Sequence, residues 1–447
     1  MRHASVRMGA ALLAVAMLAT AAPAAASTPP ESTASAPAAA PASVGHAPVD
    51  AAPGVDPVRS QEYWLDAYGV RQAWQTTRGE GVRIAVIDTG IGRAAEFDGA
   101  VVGGTDVSGV GTPDGRTPVG VVDANHGSWV ASLAASRGLG NETGMIGVAP
   151  AADLLSVSVG FGTTSQVPFA TQVAEAIRWS VDNGADVINL SFTTNTLDWD
   201  QSWDDAFLYA FEHDVVVIVA AGNRGSGTAR VGAPATMPGV VAVAGVDPTG
   251  AASLEASTQG ITIGVAAPSE KLLGVSADGS VVVWDGTSGA APIVAGIAAL
   301  VRSAHPDLDA ANVINRLIST TRAPAMGGAS PELYGFGLVD AAAAVSASVP
   351  KVSANPLGDL TEWIRVHRRA ADQPTEQPSP GAVTVPALPP ADAASGPVSP
   401  LMPTVDTLLY GSLPLLAATV AAILIALGVS AAVRRIRLTR SDRAPSR

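Results

Sequence analysis

Gly286-Thr287-Ser288-Gly289-Ala290-Ala291-Pro292-Ile293-Val294-Ala295-Gly296 reads as a small-residue turn that hands a serine to the start of an apolar helix. The first turn of a helix carries backbone N–H groups with no intrahelical partner and a partial positive charge. Both favour a negative oxygen forming beside the serine, which is what acyl transfer demands. The reading becomes a mechanism only if the rest of the chain supplies a base, a group that orients the base, and a fold that brings them together.

Upstream, the chain alternates buried-strand patterns with helical ones. Val82–Ile87, Leu154–Val159, Val187–Leu190, Val215–Ala220 and Val240–Ala244 are short, nearly continuous apolar runs. Such runs suit parallel strands covered on both faces. Helices are expected at Thr171–Asn183, which carries Val173, Ile177 and Val181 on one face and stops at Gly184, and at Ser202–Glu212, Ser288–Ser303 and Ala310–Thr320. The alternation predicts an α/β fold with a doubly wound, mostly parallel sheet and helices on both faces. Sites in such folds gather at the carboxyl ends of the strands.

Three candidates lie at such ends or beside them. Asp88 directly follows the run Val82–Ile87; alone it reads equally as a turn aspartate. His126, in Asn125-His126-Gly127-Ser128-Trp129-Val130, precedes small and apolar residues that suggest a tightly packed helix. Of the six histidines, His3 lies in the leader, and His46 and His367 lie in linkers. His213 reads as a helix-end cation and His305, before Pro306, as a helix terminator. Asn223 closes Ala220-Ala221-Gly222-Asn223 after another strand, either as a turn former or with its amide aimed at a developing oxyanion.

Together the four motifs run in the order Asp, His, Asn, Ser, and Asp…His…Ser is the order of one of the known hydrolase triads. Across about 60–345 the chain resembles the subtilisin-like serine peptidases. The resemblance is carried by Ile84-Ala85-Val86-Ile87-Asp88-Thr89-Gly90, His126-Gly127-Ser128, Ala220–Asn223 and Gly286-Thr287-Ser288. It implies a subtilisin-like fold and a serine endopeptidase that needs no cofactor. Ser288 would be the nucleophile, His126 the general base, Asp88 its orienting partner and Asn223 an oxyanion donor. Ser191, Phe192 and Thr193 would line the substrate channel with Ala220, Ala221 and Gly222, pairing with a polypeptide substrate as an added strand. The bulk of Phe192 is expected to narrow that channel.

A narrower resemblance, to the mycosins of type VII secretion systems, is carried by Gln61-Glu62-Tyr63-Trp64 through Ala73–Val82 and by the layout of the termini. It implies a partner in the secretion machinery. A competing role, also consistent with the mycosins, is a structural subunit that stabilises a secretion complex.

The termini carry their own signals. Residues 1–26 have Arg2 and Arg7, the apolar run Met8–Ala21 and Ala24-Ala25-Ala26, the layout of a secretory signal peptide. Residues 27–57 form an Ala/Pro-rich extension and 58–348 the peptidase domain. Residues 349–407 form a linker that becomes rich in Pro and Ala. Residues 408–433 form an apolar segment long enough to span a bilayer. Arg434, Arg435, Arg437, Arg440 and Arg443 then mark 434–447 as a cytoplasmic tail. The domain is thus expected outside the cytoplasmic membrane on a single span.

Composition narrows the classes. There is no cysteine, so neither a thiolate nucleophile nor a thiolate metal site is available. The net charge of −13 argues against a nucleic-acid partner. Asp198, Asp200, Asp204 and Asp205 do not follow a calcium-loop spacing and read as a solvated acidic face.

Overall fold

The computed structural model describes residues 56–368 except 121–122, 141, 162–164, 166 and 325–329, together with 392–393 and isolated positions between 416 and 431. Residues 1–26 lie outside the described residues, as does most of 27–57 and most of the linker beyond 368.

A short lead-in forms α1 (Tyr63–Ala67) and α2 (Val70–Ala73) before β1 (Arg83–Asp88) and β2 (Val101–Asp106). Next come α3 (His126–Ala135), the hairpin β3 (Arg137–Leu139) and β4 (Thr143–Ile146), and then β5 (Asp153–Ser158). The alternation continues through α4 (Phe169–Asp182), β6 (Val187–Leu190), α5 (Ser202–Glu212), β7 (Val216–Ala220), β8 (Val241–Val246) and β9 (Ile263–Pro268). A second hairpin, β10 (Leu272–Val275) and β11 (Val281–Trp284), leads into α6 (Thr287–Ala304). The helices α7 (Ala310–Ser319), α8 (Pro331–Tyr334), α9 (Ala341–Ser346) and α10 (Leu360–His367) follow.

Seven strands make one sheet in the order β2-β5-β1-β6-β7-β8-β9, every neighbouring pair parallel. Five of the six β1 residues and all of β7 are buried. Successive strand side chains point to opposite faces, so both faces of the sheet are covered. The chain leaves β1 for the edge at β2, returns to insert β5, and then builds β6 on the other side of β1. That reversal opens a crevice at the carboxyl ends of β1 and β6. Asp88 is the last residue of β1, and Ser191 follows β6 directly.

The helix α6 is apolar and long enough to cross a membrane by length and composition, yet it is buried in the core. It packs on α3 and on the strands β6 to β9, while α4 packs on α5. The lead-in is part of the fold: Trp64 and Leu65 are fully buried, and Trp74 Nε1 donates to the carbonyl of Val148 at 2.8 Å.

At the far end, the acidic cluster departs from a wholly solvated face. Asp204 is buried and accepts from Trp199 Nε1 (2.6 Å) and from Arg368 Nε (2.9 Å). Trp199 stacks on Trp363 of α10 with ring centroids 4.3 Å apart. The carboxylate therefore clamps the end of α10, which falls within residues 349–407, onto the domain.

Candidate active site

The serine turn is built from backbone constraints. Gly286 sits at φ 144°, a value that disfavours any residue with a Cβ. Its N–H donates to the carbonyl of Ser269 at 2.7 Å, fixing where α6 begins. Four residues after Ser288 comes Pro292, which has no N–H, so the Ser288 carbonyl has no i+4 helical donor. The Ser191 hydroxyl takes that place, donating to Ser288 O at 2.9 Å. In return, Ser288 Oγ donates to Ser191 O at 2.9 Å. This reciprocal pair stitches the end of β6 to the start of α6.

Asp88 and His126 meet on the other side. His126 Nδ1 lies 2.8 Å from Asp88 Oδ1 and 3.0 Å from Oδ2, with both residues fully buried. Asp88 Oδ1 also accepts the N–H of Thr89 at 2.7 Å. A carboxylate only accepts, so it places the imidazole proton on Nδ1 and leaves Nε2 a lone-pair acceptor. His126 Nε2 is buried and has no partner among the described residues. Thr89 completes the join. Its hydroxyl donates to Ala124 O (2.7 Å) and accepts from Gly127 N (2.8 Å), tying the end of β1 to the first turn of α3.

Trp129 and Trp284 wall the imidazole, with centroids 6.3 and 5.5 Å from that of His126 and edge-on geometry. Their indole N–H groups are spent on Ser276 Oγ and Leu273 O. The ring is thus held by apolar surface as well as by Asp88. Space is also short at Gly127, where a Cβ would meet Gly90 O at 2.6 Å and Gly90 N at 2.9 Å. Gly127→Ala is expected to push α3 off β1, costing about 1–3 kcal/mol by the usual penalty for overpacking. It should lower peptidase activity more than stability, read by thermal melts beside peptide hydrolysis.

Asn223 is held by its oxygen. Asn223 Oδ1 accepts from Thr287 N (2.8 Å) and from Thr287 Oγ1 (2.9 Å), and Thr287 Oγ1 accepts from Gly222 N (3.0 Å). With Oδ1 engaged, Nδ2 is the end of the amide left to donate. Thr287 is the residue that sequence reasoning missed. Its position beside Ser288 is visible in the chain, but its link to Asn223 is not.

Ser191, Thr193, Ala220, Ala221 and Gly222 all flank this group and are buried. Phe192 departs from expectation. Its ring is 3% exposed and packs 5.7 Å from Phe161 and 5.2 Å from Phe169, so its bulk joins an aromatic cluster. His213 and His305 stand at the C-terminal ends of α5 and α6, as read from sequence.

A carboxylate fixing an imidazole, a serine at a helix start and an amide tied to the neighbouring threonine have a match among known proteins. The profile of the subtilase family covers residues 79–337, more than half of the chain. The chain belongs to the subtilase family. This subtilase is a serine endopeptidase with a subtilisin-like α/β fold around a mostly parallel sheet. It is 33% identical over 350 residues to mycosin-4 of Mycobacterium tuberculosis, spanning 68% of the chain and 74% of that relative. It is 36% identical over 280 residues to subtilisin DY of Bacillus licheniformis, spanning 60% of the chain and 93% of that relative. Among solved structures, the MycP3 protease from the type VII (ESX-3) secretion system matches with a TM-score of 0.55 and 31% identity, over 66% of the chain and 91% of that structure.

Proposed function

We propose that this subtilase cleaves polypeptides outside the cytoplasmic membrane through a triad of Asp88, His126 and Ser288. Ser288 Oγ attacks the scissile carbonyl, and His126 Nε2 takes its proton and returns it to the leaving amine. Asp88 holds the imidazole tautomer and stabilises its cation. Asn223 Nδ2 and the Ser288 N–H receive the oxyanion. The observation that carries this reading is the fully buried Asp88–His126 pair, whose Nε2, without a partner among the described residues, belongs to α3, packed against α6 with Ser288 in its first turn. In the resting arrangement the serine hydroxyl points to Ser191 O, so the proposed mechanism requires a turn about its Cα–Cβ bond to present it to His126 Nε2. Substrate would extend along Ser191–Thr193 and Ala220–Gly222, occupying the carbonyls that those strand ends present.

On the same reading, 1–26 is a signal peptide, 27–57 an extension, 58–348 the peptidase domain, 349–407 a linker, 408–433 the membrane span and 434–447 a cytoplasmic tail. The span is supported by described helical positions within it, where Leu416, Val420, Leu424, Leu427 and Val429 are exposed. Exposed leucines and valines at helical positions call for an apolar surrounding. The likeness to the MycP3 protease from the type VII (ESX-3) secretion system supports a role beside such machinery. The chemistry is tested by labelling with a serine-directed fluorophosphonate, expected to mark wild type and not Ser288→Ala. Labelling that persists in the variant would refute the assignment.

Asn223→Ala is expected to keep the fold and cut turnover by roughly 100–1000-fold, the range known from subtilisin itself when its oxyanion-hole asparagine is removed. The Michaelis constant should change little, because the interaction strengthens only as charge develops. Steady-state hydrolysis of a fluorogenic peptide measures both.

A further inference from the structure

On the face built by the lead-in and the β3–β4 hairpin lies a cavity of about 650 Å³ that includes none of the triad residues. We propose that it is a second binding site, for the carboxylates of an acidic segment of a partner polypeptide. Arg59, Arg71, Arg78 and Arg137 line it together with Trp74. The carboxylates facing it are Asp56, Glu62, Asp66 and Glu142.

The floor is short of acceptors. Glu62 is 1% exposed, and its Oε1 accepts the N–H of Ile146 at 2.7 Å. Its other oxygen, Oε2, is buried without a partner among the described residues, as is Arg59 Nε. Arg59 spends Nη2 on Thr143 O and forms no ion pair among the described residues. Burial pushes the Glu62 carboxyl up to about 8, outweighing the pull of Arg59 and Arg71. With Oε1 already accepting, the proton sits on Oε2. Two buried donors, Oε2–H and Nε–H, then lack an acceptor, and a carboxylate is an acceptor for both.

The rim is built for the same chemistry. Arg78 forms no ion pair among the described residues and lies over the Trp74 ring at 4.7 Å, and Arg71 lies over the same ring at 5.6 Å. Arg71 pairs with exposed Asp66 at 3.2 Å and Arg137 with Asp153 at 3.1 Å. Such exposed pairs hold weakly and exchange readily for a fixed carboxylate. The volume exceeds that of a single inorganic anion several times over, which favours a peptide segment bearing several carboxylates.

The sign of the pH dependence follows. While Glu62 is neutral, four guanidinium groups face three carboxylates. Above its titration a fourth carboxylate faces the ligand, and affinity falls.

The test is calorimetric titration of the detergent-solubilised full chain with a hexaglutamate peptide at pH 6.5. Saturable binding is expected, weakened at least tenfold in the Arg71→Gln/Arg78→Gln double variant, with fluorophosphonate labelling and peptide hydrolysis unchanged. Wild-type affinity should drop between pH 6.5 and 9. Glu62→Gln, which keeps an acceptor for Ile146 N–H, should flatten that drop. Ser288→Ala should bind like wild type, which separates this site from the triad. Absence of binding, or equal binding by the double variant, would overturn the proposal. Inorganic phosphate competing as strongly as the peptide would make the cavity a small-oxyanion site and overturn the peptide reading.

Discussion

Ser288→Ala is expected to lower turnover by roughly a millionfold, the scale seen when the nucleophile of such a triad is removed, while leaving the protein folded. The two halves of that statement have separate causes. The hydroxyl is the only group lost, and its one hydrogen bond among the described residues goes to Ser191 O. Losing one such bond costs about 0.5–1.5 kcal/mol. The return bond from Ser191 Oγ reaches the backbone carbonyl of residue 288, so alanine retains it. Pro292 still withholds the helical donor that would compete for that carbonyl. The stitch between β6 and α6 therefore survives, and with it the position of Asn223, which hangs on Thr287 rather than on the serine. Residual hydrolysis above the uncatalysed rate should come from the oxyanion donors alone. Peptide hydrolysis, fluorophosphonate labelling and a thermal melt on one preparation read all three quantities.

The same variant separates the two biological roles. In cells, export that fails on deletion but persists with Ser288→Ala would assign the secretion function to docking rather than to cleavage. Export that fails in both would tie it to peptide-bond hydrolysis. The melt makes this comparison interpretable, because a destabilised variant would mimic deletion by losing the protein.

Much of the architecture can be read from the sequence because buried parallel strands leave little freedom in residue choice. Ile84-Ala85-Val86-Ile87 and Val216–Val219 have no polar residue and admit no other reading at that length. The two strands of the seven-stranded sheet that sequence reading misses break that rule. The edge strand β2, Val101–Asp106, carries two glycines and is half-exposed. Its counterpart at the opposite edge, β9, is Ile-Gly-Val-Ala-Ala-Pro, with glycine, alanine and proline where β-branched residues would announce a strand. Local composition says nothing there, and pairing with β5 and β8 decides.

The site divides along the same line. Asp88, His126, Asn223 and Ser288 each sit in a short motif whose local conformation the sequence dictates. The parts that hold them are contacts between distant segments. Thr287 fixes Asn223 across 64 positions, and Ser191 meets Ser288 across 97. Asp204 reads as solvated because the arginine that buries it stands 164 residues later. Nothing in either neighbourhood carries that information; only the folded sheet does.

Asp88→Asn is expected to be nearly isosteric and yet cost roughly 10⁴-fold in turnover, the scale known when a triad carboxylate becomes an amide. The local bonds dictate which way the new amide faces. The Thr89 N–H donates to the oxygen now called Oδ1, so the amide oxygen stays at that position. The NH₂ then takes the place of Oδ2, 3.0 Å from His126 Nδ1. Both ends of the amide then lie within reach of Nδ1, the oxygen at 2.8 Å and the NH₂ at 3.0 Å. As in the known triad case, the NH₂ is expected to donate to Nδ1, making that nitrogen an acceptor and moving the ring proton to Nε2. The imidazole is then unable to take a proton from Ser288, although its position barely changes. Trp129 and Trp284 continue to wall the ring, and the Thr89 hydroxyl continues to join β1 to α3. Turnover should therefore collapse while the Michaelis constant and melting temperature stay close to wild type. Nuclear magnetic resonance of the ring nitrogens provides the direct reading: the proton on Nδ1 in wild type, on Nε2 in the variant. Wild-type turnover in Asp88→Asn, or a collapse without the tautomer change, would remove Asp88 from the proposed role.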